Sequence, residues 1–430
     1  MKSYELLPTE ENLIDFFVKD AIKRNKDIAN FYKILQCQEQ QSAIAIDGRW
    51  GSGKTFFVHQ TKMIISAFNS SCNMKDDLRK QIISKLSKFN VDQNTETSII
   101  SVYYDAWEND NDTEPILSLI YEITKQLSVD FSLSDKSIVD LASVIIEMIS
   151  GKNVKKIKDV LTSEDPFTKL KIQKNIEDKI KQFLTDLLRE RANRLVIFID
   201  ELDRCNPRFA VQLLEQVKHY YGTEFDACRY LDRFFDLRIA LPPADINGFY
   251  EELGFSSIHY VDEIMKRIIN MYNFELREIT KFYLQVKTAI FKPIQNSKNY
   301  NFIFSEGEGR MIIIVYIVPL LIGLKIVDVS QYDDFVNGKD VTPLIKLLNS
   351  DRDKCILRGM LGGNEDFDKG AEKKKIVSPE QVIKRLYEAI FVNTYEREHS
   401  IILGKYEFSK ESKIMAIRTA SILSDYADLI

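Results

Sequence analysis

The chain is poor in the residues that staple or metallate small folds. Its five cysteines, Cys37, Cys72, Cys205, Cys228 and Cys355, are scattered, odd in number and without any C-x-x-C spacing. That excludes a disulfide framework or a zinc finger as the organising device, and predicts a reducing compartment, expected to be the cytoplasm. The four histidines, His59, His219, His259 and His399, have no metal-ligand spacing, and no Ser-His-Asp or Cys-His nucleophile can be assembled from them. His59 reads as a helix-surface residue. Charge of either sign is not in excess: 59 basic against 64 acidic residues leave a net charge of -5. No global field therefore draws the protein to nucleic acid or anionic lipid, and any such contact must be local, at Lys152 to Lys158 or Lys373 to Lys375. The segment Met1 to Pro8 has no apolar h-region, which predicts no secretory leader. The longest uncharged apolar run, Met311 to Leu324, is short, holds Pro319 and Gly323 and meets Lys325, so it predicts a buried core helix and no membrane span. No internal repeat of about 20 to 50 residues is present.

What the chain does contain is ordinary globular material, 45% hydrophobic and 29% charged over 430 residues, enough for two or three domains. One stretch stands apart. Gly48-Arg49-Trp50-Gly51-Ser52-Gly53-Lys54-Thr55 fits G-x-x-x-x-G-K-[ST], after the apolar Ala43 to Ile46 and before a helix-like run from Phe56 to Ile65. In that setting glycines let the backbone curl so that amide N–H groups and the positive helix end surround phosphate oxygens. Gly48 to Thr55 and the following Phe56 are the candidate nucleotide contacts, Lys54 reaching the β- and γ-phosphates and Thr55 ligating Mg²⁺.

Strands are predicted at Ala43 to Ile46, Ser98 to Tyr104, Leu195 to Ile199 and Asp236 to Leu241, separated by helical stretches, the alternation of a parallel sheet covered by helices. Residues 10 to 41 read as helix, and Ile116 to Leu127, Ile138 to Ile149 and Phe167 to Leu188 as further helices in a long insertion, with helices again from Pro243 to the end. The third strand runs into Asp200-Glu201. A strand end is where such an enzyme needs two carboxylates: Asp200 beside Thr55 in the Mg²⁺ shell, and Glu201 placed to polarise an attacking water. No N-K-x-D guanine-reading motif is present, which favours ATP over GTP.

Four segments in order then carry a more specific likeness. The Trp-containing loop Gly48 to Thr55, Tyr104-Asp105-Ala106-Trp107-Glu108, Asp200-Glu201-Leu202-Asp203-Arg204-Cys205-Asn206-Pro207, and Tyr230 to Leu237 with its Leu241-Pro242 ending resemble the KAP family of P-loop NTPases, over roughly residues 10 to 280. The resemblance implies an additional-strand P-loop core, with Asp200 as the Walker B aspartate and Glu201 as the catalytic carboxylate. It also implies a bacterial anti-phage defence setting and action with partner proteins. Two departures stand out. The insertion from Glu108 to Arg194 is charged throughout, where many members carry membrane hairpins. And no Val/Ile-rich segment separates the helix Phe209 to Tyr220 from Gly222-Thr223-Glu224-Phe225-Asp226-Ala227, where the family has a central strand bearing a polar sensor residue. Either another segment fills that place, the sequence is internally shortened, or this copy is impaired.

The resulting expectation is an α/β P-loop NTPase core of the additional-strand type, with a helical insertion and a helical C-terminal region. Its domains are a helical segment at 1–42, the core at 43–245 with the insertion at about 108–194, and a helical lid and bundle at 246–430. The expected activity is Mg²⁺-dependent ATP hydrolysis that drives a conformational or assembly change, in a homo-oligomer or with a separate effector protein. A scaffold that binds ATP with little turnover is the rival, and a nucleic-acid motor a third reading. Arg204 and Arg233 are candidate catalytic arginines, and Arg277 a candidate sensor on a lid helix.

Overall fold

The computed structural model describes residues 7–38, 40–91, 98–112, 114–127, 166–221, 235–255, 260–296, 307–353, 357, 378–393, 400–404 and 406–421. These form two compact units. One comprises Leu7–Arg49 with Gly53–Asp245; the other groups Trp50–Ser52 with the residues from Ile246 onward.

The first unit opens with α1 (Glu10–Lys19) and α2 (Asn25–Cys37). The single helix expected across 10 to 41 is broken because Asp20 and Lys23 adopt left-handed φ of 51° and 53°. β1 (Ile44–Asp47) follows, then the glycine loop and α3 (Lys54–Phe68), α4 (Asp76–Leu86), β2 (Ile99–Asp105) and α5 (Pro115–Gln126). The last carbonyls of α3 and its C-cap are gathered by the Arg79 guanidinium, which donates to Ser66 O, Ala67 O and Asn69 O. After α6 (Pro166–Arg191) come β3 (Arg194–Asp200), α7 (Pro207–Tyr221) and β4 (Leu237–Ala240). The four predicted strands all form, each within one residue of its expected ends. Ile138 to Ile149, the lysines from Lys152 to Lys158 and Gly222 to Ala227 lie outside the described residues.

The strands pair in parallel as β1 with β4 and β2 with β3. Both pairs feed one apolar cluster with α2, α3 and α4, where Phe57, Ile64, Ile82, Ile99 and Phe198 meet Ile44, Ile46 and Ile239. The opposite face of β2 and β3 packs Ile100, Val102 and Tyr104 against α5, α6 and α7. Among the described residues no strand pairs with the second edge of β1 or of β3. Among the described residues β3 is only half-buried except at Phe198 and no residue of β1 is buried, whereas β2 is almost wholly buried. Strands at the centre of a doubly covered parallel sheet are ordinarily buried on both faces.

Hydrogen bonding fixes which peptide groups meet that edge. Leu237 N–H donates to Ala43 O and Leu241 N–H to Asp47 O, so Ala43, Ala45 and Asp47 turn toward β4. Arg194 N–H donates to Ser98 O and Asp200 O accepts from Ala106 N–H, so Arg194, Val196, Phe198 and Asp200 turn toward β2. By alternation, the amides of Ile44, Ile46, Leu195, Ile197 and Ile199 point to the unpaired edges.

The C-terminal unit contains α8 (Asn247–Leu253), α9 (Tyr260–Tyr272), α10 (Leu276–Asn296) and an apolar helix α11 over Arg310–Val327. The last is long and apolar enough to cross a membrane by length and composition, and 72% of it is buried inside the protein. Its ladder widens to a π turn over Ile313–Ile317, just before Pro319, whose missing N–H breaks the regular pattern. Gly323 lets α9 approach: a Cβ there would lie 2.7 Å from Ile268 Cγ2. Buried Asp353 accepts hydrogen bonds from Tyr260, Arg267 and Ser350, and Lys287 pairs with buried Asp262 at 2.5 Å. The region expected to be wholly helical also holds a small sheet, β5 (Gly307–Glu308), β6 (Ile401–Leu403) and β7 (Tyr406–Phe408), in the order β5-β7-β6. Its strands of two or three residues are too short to show a period-2 pattern in sequence.

Candidate nucleotide site

The glycine loop curls as its sequence requires. Gly51 and Gly53 take left-handed φ of 83° and 86°, where a side chain is strained, and Gly53 caps α3 so that the helix begins at Lys54. The first N–H groups of a helix have no intrahelical acceptor, and here they open into the loop. Lys54 Nζ donates to Gly48 O at 2.8 Å and Arg49 O at 3.2 Å, bracing the loop from within. Ser52 is 5% exposed, and its hydroxyl is a buried donor with no partner. An orphaned hydroxyl beside the N-terminus of α3 fits an anionic oxygen as the missing acceptor. Phe56 contributes backbone alone, since its ring is buried edge-on against Phe16 with centroids 5.5 Å apart.

Across from the loop, Thr55 Oγ1 donates to Asp200 Oδ2 at 2.7 Å. The expected pairing of hydroxyl and strand-end carboxylate is thus present as a direct contact. The same Oδ2 accepts from Tyr103 Oη at 3.1 Å, and Oδ1 accepts from Glu201 N–H at 2.9 Å. A hydroxyl and a carboxylate in contact at a strand end suit a hard, oxygen-preferring divalent cation such as Mg²⁺. Tyr103 arrives on β2, whose register sets Asp105 opposite Asp200 and therefore Tyr103 and Asp105 on one face. Burial, followed by the charges of Asp200 and Asp105, pushes the Tyr103 phenol far above its ordinary range, so it stays a neutral donor.

Glu201 sits just past the strand with φ of 58°, an uncommon setting for a glutamate. Its Oε2 lies 2.6 Å from Arg204 Nε, and the Arg204 guanidinium lies over the Trp107 ring, 5.3 Å from the centroid. Desolvation raises the Glu201 carboxyl above its usual value, with Arg204 pulling the other way. Asp105 Oδ1 shapes the turn that carries Trp107 by accepting from Trp107 N–H and Glu108 N–H, both at 3.0 Å. Arg204 is thereby placed on Glu201, and Trp107 on Arg204.

His59 corrects the sequence expectation of a helix-surface residue. It is half-buried, with its ring 4.2 Å from that of Tyr103, and burial followed by Lys62 lowers its pKa to about 4. The stripe Thr55, His59, Lys62, spaced i, i+4, i+7 on α3, touches Asp200, Tyr103 and Gln126 in turn. That i, i+4, i+7 spacing on one face of α3 is the signal that could have exposed Tyr103, which the motif reading missed. Arg277 lies in the C-terminal unit with Trp50–Ser52: its N–H donates to Gly51 O at 3.3 Å, and its guanidinium lies 4.7 Å from the centroid of Trp50, which is 65% exposed. Arg233 lies outside the described residues.

Residues 24–226, just under half of the chain, match the family model described as KAP family P-loop domain. No curated protein and no solved structure matches the chain. The matched span holds the glycine loop, Thr55, Asp200, Glu201 and Arg204. Residues 24–226 are a KAP family P-loop NTPase domain.

Proposed function

We propose that the chain is a Mg²⁺-dependent ATPase whose hydrolysis drives a conformational or assembly change. The observation that carries the reading is the 2.7 Å contact of Thr55 Oγ1 with Asp200 Oδ2, beside a loop whose buried Ser52 hydroxyl has no partner. The loop amides, Ser52 and Lys54 would hold the phosphates, with Gly48 to Phe56 forming their cradle; Thr55 and Asp200 would hold Mg²⁺. Bound there, the ion neutralises phosphate charge. Glu201 would accept the proton of the attacking water, its carboxyl held above its ordinary value by desolvation against the pull of Arg204. Arg204 orients Glu201 and supplies positive charge nearby, and Arg233 and Arg277 are the further candidates for charge neutralisation and sensing. ATP is favoured over GTP by the lack of an N-K-x-D motif.

The wider setting rests on the family resemblance alone: a cytoplasmic component of a bacterial anti-phage defence system, acting as a homo-oligomer or with a separate effector. Copurification from the native host with an ATP analogue, followed by mass measurement, tests it; a lone monomer under every nucleotide condition overturns it.

A second reading has its own observation. Among the described residues no strand pairs with the second edge of β1 or β3, and the family resemblance implies a strand bearing a sensor residue that the sequence lacks, which supports a scaffold that binds ATP with little turnover. Steady-state phosphate release from wild type and Glu201→Gln separates the two. The ATPase reading expects release from wild type and a loss of about 100-fold or more in the variant. Equal background release from both, with nucleotide still bound, establishes the scaffold.

A further inference from the structure

We infer that Tyr103 is a positioning residue for the metal-holding carboxylate of Asp200, an inference that rests on the nucleotide-site reading above. Asp200 Oδ2 is shared by two donors, Thr55 Oγ1 and Tyr103 Oη, and only the first belongs to the motif. A carboxylate meant to take a cation with one oxygen must keep a fixed rotamer, and donors on both sides of that oxygen leave it little freedom.

Tyr103 is itself held at three points. Its backbone lies on the edge of β2 away from β3, where an amide would ordinarily go unpaired. The Gln126 side chain supplies both missing partners, accepting from Tyr103 N–H at 3.1 Å and donating to Tyr103 O at 2.6 Å. A primary amide has the donor and acceptor of a peptide group, so Gln126 acts as one residue of a missing strand. Its oxygen also accepts from Lys62 Nζ at 2.6 Å, which fixes the amide's orientation from α3. The His59 ring, 4.2 Å from the phenol ring, closes the third side. The helix that begins at the phosphate loop therefore carries the donor to Asp200 (Thr55), the packing for the second donor (His59) and the anchor of its backbone clamp (Lys62). A phenylalanine would fill the same packing space. Among the described residues the hydroxyl donates to Asp200, and that contact gives it a purpose at the metal position.

The test uses the full chain and a fluorescent, non-hydrolysable ATP analogue, titrated from excess EDTA to saturating Mg²⁺. Tyr103→Phe keeps the ring and removes the donor. It is expected to raise the half-saturating Mg²⁺ about tenfold, the loss of one hydrogen bond to a charged acceptor, while analogue affinity in EDTA stays at the wild-type value. His59→Leu, which keeps the hydroxyl and loosens its ring, is expected to move the Mg²⁺ requirement the same way by a smaller factor. It stands in for Tyr103→Phe should that variant fail to fold. A purely packing role for Tyr103 weakens analogue binding equally with and without Mg²⁺, or in neither condition, and either result overturns the inference. A wild-type chain that binds the analogue identically in EDTA and Mg²⁺ overturns the site reading as well, which distinguishes the two failures.

Discussion

Exchange of the protein into D₂O reads the most unusual feature of this sheet one amide at a time. In a parallel ladder each strand turns alternate peptide groups to alternate neighbours. With β4 beside β1 and β2 beside β3, the amides of Ala45, Val196, Phe198 and Asp200 are tied into ladders, and those of Ile44, Ile46, Leu195, Ile197 and Ile199 have no ladder partner among the described residues. A ladder amide in a core exchanges only through sub-global or global opening, which costs about 5–10 kcal/mol and gives protection on the order of 10⁴ to 10⁷. An amide facing an unpaired edge needs only local water access, with protection below roughly 10². Adjacent residues of β3 should thus differ by at least about a hundredfold in rate, near ~3 kcal/mol at about 1.4 kcal/mol per decade. Single-residue exchange, by NMR or by mass spectrometry with electron-transfer fragmentation, resolves the alternation. Equal strong protection of Leu195, Ile197 and Ile199 with their neighbours would refute the reasoning, because it requires an acceptor along that edge.

Three other outcomes follow from the site. Gly53→Ala forces a side chain into a φ of 86°, which should cost about 1 kcal/mol, visible as a lower Tm together with weaker nucleotide binding. An unchanged Tm would show that the loop relaxes freely. Arg204→Ala removes the cation that lowers the Glu201 pKa against the desolvation that raises it. A base must be deprotonated to work, so the acid limb of the hydrolysis profile should move to higher pH; a shift to lower pH contradicts the ion-pair account. His59, with a folded pKa of about 4 against an unfolded value near 6.5, stays neutral where the unfolded chain takes up a proton. The unfolded state therefore binds more protons between those values, and stability should fall as pH drops from 6.5 toward 4, by about 1–3 kcal/mol, with His59→Gln showing a shallower slope by denaturant titration.

Much of this architecture was legible in the chain because the determinants are local. The parallel strands announce themselves as short Ile/Val/Phe/Tyr runs between helices, and a glycine loop followed by Lys-Thr has one conformational solution at a strand-to-helix junction. The direct contact of Thr55 with Asp200 follows from the same logic, since a loop after one strand and an acid at the end of another meet at the same edge of the sheet. Tyr103 and His59 were hidden for the opposite reason: their roles depend on β2 lying beside β3 and α3 packing over β2, and neither neighbour relation is written in the local sequence. The break between α1 and α2 rests on two left-handed residues, Asp20 and Lys23, in a segment with continuous helical periodicity. The expectation of a missing central strand falls on Gly222 to Ala227, which lie outside the described residues. The short C-terminal sheet carried no such signal, its strands being below the length at which alternation can be read.

The central claim, that one curled loop and one strand-end carboxylate share a divalent ion on a bound nucleotide, is tested most directly by electron paramagnetic resonance of Mn²⁺ with a non-hydrolysable ATP analogue. The wild-type chain should hold one Mn²⁺ in the presence of analogue, and Asp200→Ala should lose it while retaining metal-free analogue binding. Identical Mn²⁺ binding by the two proteins would contradict the account.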